Sequence, residues 1–189
     1  RRARRVVEEA RERLAAVVGA SPSEVVFTGG GTEADNLAVK GLFWARRAAD
    51  PCRTRLLVSA VEHHAVIDPV EWLAKTHGAQ VEWLAVDDLG RVRPETLRAA
   101  IEADPGSVAL VSVMWANNEV GTVQPVPELI AVAHEYGIPL HTDAVQALGQ
   151  LPLDVESCGA DCLAVSAHKV GGPIGTGALI ARRGLELVQ

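Results

Sequence analysis

A chain of 189 residues is long enough for one domain with a full core, and an apolar fraction of 48% excludes a disordered polymer. The net charge of -6 argues against nucleic acid as a partner. No apolar run approaches the roughly 20 residues that a membrane-spanning helix needs, and no secretory signal pattern opens the chain. Three cysteines, an odd number, do not make a disulfide framework, so a reducing, cytoplasmic setting is expected.

Apolar residues at helical spacing (Val6, Val7, Ala10, Leu14, Val17, Val18) predict a helix that Gly19 ends. Arg1, Arg2, Arg4, Arg5, Arg11 and Arg13 alternate there with Glu8, Glu9 and Glu12, the pattern of a solvated amphipathic face. Glu24–Thr28 reads as a strand, Gly29–Gly31 as a turn, and Thr32-Glu33 as the start of a helix reaching about Ala48. Arg55–Ser59 is a strand, followed by Glu62-His63-His64 and a helix over about 68–77 that Gly78 stops. Gln80–Val86 alternates like a strand, and Pro94 opens a helix to about Ala103. Val108–Met114 is an apolar, buried strand with Asn117-Asn118-Glu119 behind it. Pro127 opens a helix ending at Gly137, Ile138–Thr142 is a strand, and Asp143 stands at its end. Residues 162–165 form a further strand, then Ser166-Ala167-His168-Lys169, the loop Gly171-Gly172-Pro173-Ile174-Gly175-Thr176-Gly177, and a last strand near 178–181.

Strands alternating with helices predict a three-layer α/β/α domain on a mostly parallel sheet. Thr32, His63, Asn118, Asp143 and Lys169 each follow an apolar run. In open sheets of this class, ligands bind beyond the carboxyl ends of the strands, so these side chains are expected to share one edge.

The residue types then suggest a chemistry. A desolvated lysine has a lowered pKa and attacks carbonyls, and pyridoxal phosphate is a cofactor held in this way, on Lys169 here. A glycine turn entering a helix offers backbone N–H groups to a phosphate, with Gly31 at the junction, Thr32 adding a hydroxyl, and Ser166 and His168 beside the lysine. The turn is neither a Walker loop nor a dinucleotide fingerprint, which sets aside a plain nucleotide-binding domain. A buried carboxylate needs a cation, so Asp143 suits a protonated pyridine nitrogen, with Gln146 or Asn118 in reach of the ring oxygen. Read alone, Asp143 is equally a helix cap. An imidazole that titrates near neutrality can stack on a ring and move protons, and either His63 or its neighbour His64 could face the site. A zinc site from His63, His64, Cys158, Cys162 and His168 lacks a C-x-x-C pair, so no metal is expected. Cys52, Cys158 and Cys162 read instead as small buried hydrophobes.

FTGGGTEADNLAVKG (27–41), VEHHAV (61–66), NNEVGTVQPV (117–126), HTDAVQALGQLPLDV (141–155) and SAHKVGGPIGTGAL (166–179) together resemble the cysteine desulfurases, fold-type I pyridoxal-phosphate enzymes of the class V aminotransferase group. The resemblance implies that Lys169 carries the cofactor, that His63 stacks on the ring and that Asp143 pairs with its nitrogen. It assigns Asn118 and Gln146 to the ring oxygen, and Gly31, Thr32, Ser166 and His168 to the phosphate. It also implies L-cysteine as substrate, alanine as product, a persulfide passed to an acceptor protein, and a homodimer, with the first helix and the 171–177 loop as contact candidates. The persulfide-forming cysteine and the substrate-binding arginine of such enzymes lie downstream of the lysine, and none of the three cysteines here matches that motif. The expectation is therefore that 1–189 is the large cofactor domain alone, truncated at both ends and inactive by itself. Two alternatives stand beside it: a selenocysteine lyase or another class V enzyme, and a non-catalytic binding or dimerisation module.

Overall fold

The computed structural model describes residues 1–188, so only Gln189 of the expected domain lies outside it. In chain order the elements are α1 (Arg2–Val18), β1 (Val25–Thr28), α2 (Gly31–Ala49), β2 (Arg55–Ser59), α3 (His64–His77), β3 (Gln80–Leu84), α4 (Pro94–Ala103), β4 (Val108–Ser112), α5 (Val126–Glu135), β5 (Leu140–Asp143), α6 (Val155–Cys158), β6 (Cys162–Ser166) and β7 (Gly177–Ala181). The strands form one seven-stranded sheet in the order β1-β7-β6-β5-β4-β2-β3. β7 runs antiparallel to both of its neighbours, and every other pair is parallel.

Side-chain alternation along the strands builds two cores. Leu163, Val165, Ala178 and Ile180 point to one face, where α1, α4 and α5 cover them through Ala15, Leu97, Ile101, Leu129 and Ala133. Cys162, Ala164 and Leu179 point to the other, under Ala38, Leu42 and Phe43 of α2 and Val66, Val70 and Leu73 of α3. The three-layer α/β/α reading is therefore correct. A register shift between β2 and β4 at Arg55/Leu56 breaks the alternation once. There Ala109 and Leu110 both face α2, and Val111 returns to the opposite core. Each fully buried Leu or Phe in these layers stabilises by roughly 1.5–3 kcal/mol, so α2, buried along one whole side, is fixed on the sheet.

Several boundaries differ from the sequence reading. α1 begins at Arg2 because its charged first turns stay exposed and need no apolar pattern. α3 begins at His64 and runs through Pro69, four residues earlier than expected, because His63 caps it: its Nδ1 accepts the Ala65 N–H at 3.1 Å. The short α6, which Asp154 caps through the Ser157 N–H at 2.7 Å, had no periodicity to betray it. Cys158 ends that helix half-buried and Cys162 is buried in β6, but Cys52 is exposed, so its reading as a buried hydrophobe is corrected. It sits in a surface turn ahead of β2.

Candidate active site

On the α2 face of the sheet the apolar core gives way, toward the carboxyl ends of the strands, to Asp35, Ser112, His141 and Asp143, all buried. Beyond them lies a cleft of about 240 Å³ lined by Gly31, Thr32, Asp35, His63, Ala65, Met114, Asn118, Asp143, Val145, Gln146, Ser166, His168 and Lys169. Every residue proposed for the site from sequence is on that wall. Gly31 and Thr32 come from the end of β1, His63 from β2, Asn118 from β4, Asp143 and Gln146 from β5, and Ser166, His168 and Lys169 from β6. The five strands are mutually parallel in direction, so all these groups arrive at one edge.

Close packing fixes the phosphate-sized end of the cleft. A Cβ on Gly31 would lie 2.6 Å from Val145 Cγ2, and one on Gly177 would lie 2.6 Å from the Gly30 carbonyl carbon. Glycine at both positions lets β7, the β5 turn and the start of α2 touch. Among the described residues no side chain caps α2, which leaves its first amides free at the positive end of the helix dipole, where Gly31 and Thr32 line the cleft. Ser166 Oγ and His168 Nδ1 are paired at 2.7 Å beside them.

The other end is acidic and buried. Asp143 Oδ1 accepts the Val145 N–H at 2.9 Å, so the cap-like bond foreseen for this residue exists alongside its place in the cleft. Burial, and secondarily the neighbouring Asp35, push the Asp143 carboxyl up to about 7. His63 takes a backbone N–H on Nδ1, which leaves the proton on Nε2. His64 points away to Asp68, 3.2 Å distant at the surface, which settles which of the two histidines faces the cleft. Lys169 sits exposed on the 3₁₀ turn Ala167–Val170, so the expectation of a desolvated amine is corrected: the turn holds it at the open rim rather than in the apolar wall.

The sequence profile of the aminotransferase class-V family matches residues 1–187. The chain belongs to that family. An IscS-like cysteine desulfurase of Mycobacterium tuberculosis is 55% identical over 188 residues, covering 100% of this chain and 48% of that protein. A cysteine desulfurase IscS of Dictyoglomus turgidum is 44% identical over 99% of this chain and 46% of its own length. Among solved structures, SspA in complex with cysteine superposes with a TM-score of 0.90 at 39% identity, covering 99% of this chain and 52% of that one. The chain thus spans about half the length of the relatives it matches.

In this class-V chain the sequence reading overlooked Asp35, which lines the cleft from the second turn of α2. It overlooked Glu62 as well. That carboxyl is buried, accepts the Met114 N–H at 2.6 Å, and is pushed well above its usual range by burial. A charged residue at an apolar-spaced position, as at Asp35, was the available signal. Asn117, next to the chosen Asn118, turns out to be structural. Its Nδ2 donates to the Val61 carbonyl at 3.0 Å, and its Oδ1 accepts from Glu119 and Val120. Among the described residues, no group of His, Cys, Asp and Glu is arranged to hold a metal ion, and no helix is long and apolar enough to cross a membrane.

Proposed function

We propose that this chain is the cofactor-holding part of a pyridoxal-phosphate-dependent cysteine desulfurase. The carrying observation is that Lys169, Asp143 and His63, from three separate strands, open on one 240 Å³ cleft. The residues fit the cofactor. A buried acid that pairs with no Lys or Arg among the described residues stands at one end, a helix amino end without a side-chain cap at the other, and an exposed amine lines the same cleft. When bound, pyridoxal phosphate supplies an electron sink for charge developing at the substrate Cα.

The chain's own groups then have distinct tasks. The α2 amides at Gly31 and Thr32, with Ser166 and His168, hold the phosphate and set the register of the ring. Asp143 would hold a proton on the ring nitrogen, since a cation there would favour its carboxylate form. Asn118 and Gln146, on the same wall, would donate to the ring oxygen. Lys169 would hold the cofactor's aldehyde, and its amine on the cleft wall would be placed to move a proton at the substrate Cα. His63 covers the ring, and its Nε2 proton is available to the same chemistry.

L-cysteine is the proposed substrate, supported by the desulfurase relatives and by the neighbour solved with cysteine. The sulfur-accepting thiol is proposed to come from another segment or chain. Burial raises the Cys162 and Cys158 thiols, and Cys52 lies at the opposite edge of the sheet. An acceptor protein, a homodimer and a cytoplasmic setting belong to the same proposal. Titrating the pyridoxal-phosphate-loaded chain with L-cysteine tests the substrate. A saturable change in the visible spectrum, absent with L-alanine at equal concentration, is expected. Equal responses to both amino acids would contradict the assignment.

A further inference from the structure

Asp35 projects from α2 onto the sheet with no exposure at all. Neither of its carboxyl oxygens has a hydrogen-bond partner among the described residues, nor does His141 Nε2. Asp35 Oδ1 and His141 Nε2 are nonetheless 3.2 Å apart. The separation is an ion-pair distance, while the angles miss those of a hydrogen bond. The other ring nitrogen, His141 Nδ1, is anchored 2.9 Å from Ser112 Oγ, across the β4–β5 ladder. His141 and Asp143 lie two apart on β5 and therefore face the same side, under α2.

We infer that Asp35, seated on His141, is a positioning residue that leaves Asp143 as the ionised carboxylate beneath the cofactor ring. The inference rests on the reading of Asp143 as the partner of the ring nitrogen. Asp35, Glu62 and Asp143 are all buried around one end of the cleft, and they cannot all be charged. Their surroundings decide which one ionises. Asp143 has the Val145 N–H, borders the cleft and faces His63. Glu62 has the Met114 N–H but is sealed from the cleft wall. Among the described residues Asp35 has no polar neighbour in reach except His141 Nε2, and burial raises its carboxyl to about 8 while lowering His141 to about 4. Both members of that pair are thus driven to their uncharged forms, with the Asp35 proton facing Nε2. An uncharged Asp35 removes the repulsion that would otherwise hold Asp143 protonated. The remaining titratable neighbours are Cys162 on β6, whose thiol burial raises, and His168 and Lys169 across the cleft.

Carboxyl-carbon NMR of the cofactor-free chain tests this, with the Asp143 signal assigned by its loss in Asp143→Asn. In Asp35→Asn, which replaces an uncharged acid with an uncharged amide, the Asp143 midpoint should stay within about half a pH unit of the wild type. A fall of about one unit or more would show that Asp35 carries a charge beside Asp143 and overturns the inference. Should that variant fail to fold, the wild-type curve decides: the Asp143 signal should titrate in two coupled steps, the second where Asp35 ionises. A single step overturns it. Because no cofactor is present, failure of the pyridoxal-phosphate reading would leave this result standing, and the two remain distinguishable.

Discussion

Asp143→Asn should stabilise the cofactor-free chain while damaging the site. Asn keeps the shape and the Oδ1 acceptor for the Val145 N–H, and removes the charge. The Asp143 carboxyl, 5% exposed, is raised from 3.8 to about 7. The folded state therefore holds an extra proton between about pH 4 and 7. Stability falls as pH rises through that window and levels off above it. Roughly two pH units of the window lie between pH 5 and pH 8. At 1.36 kcal/mol per unit, the variant should gain about 3 kcal/mol on the wild type between those pH values. With a urea slope of about 2 kcal/mol/M, that is a relative midpoint shift of about 1.5 M. Equal midpoint differences at pH 5 and pH 8 would refute the reasoning. So would a variant that binds pyridoxal phosphate as tightly as the wild type.

Gly31→Ala places a methyl 2.6 Å from Val145 Cγ2, where overpacking costs about 1–3 kcal/mol. The start of α2 must shift, so affinity for pyridoxal phosphate should drop by about tenfold in an absorbance titration, and unchanged affinity would contradict the cradle. Phe43→Ala, deep under α2 and away from the cleft, should cost about 3–5 kcal/mol in urea unfolding. It should leave cofactor affinity unaltered wherever the variant is folded; loss of affinity in a folded sample would show that the core and the site are coupled.

Much of this site was legible because each polar group closes an apolar strand. Thr32, His63, Asn118, Asp143 and Lys169 follow the ends of β1, β2, β4, β5 and β6, and strands running the same way bring such ends together. What stayed hidden depends on contacts between distant segments. Asp35 lies inside a helix pattern, and only the packing of α2 on β5 reveals that it meets His141. His63 and His64 are equivalent in sequence, and the backbone bond at the start of α3 separates them. The antiparallel direction of β7 follows from its pairing with β1 and β6, which local pattern does not encode. The exposure of Lys169 likewise depends on how the glycine loop after it folds back, with the Gly172 N–H bonded to the Ala167 carbonyl.

Reconstitution with pyridoxal phosphate tests the central claim most directly. The folded wild-type chain should develop a yellow absorbance band that is absent from a folded Lys169→Ala variant, since the amine that captures the aldehyde is gone. A wild type that stays colourless, or a band that survives the substitution, would contradict it.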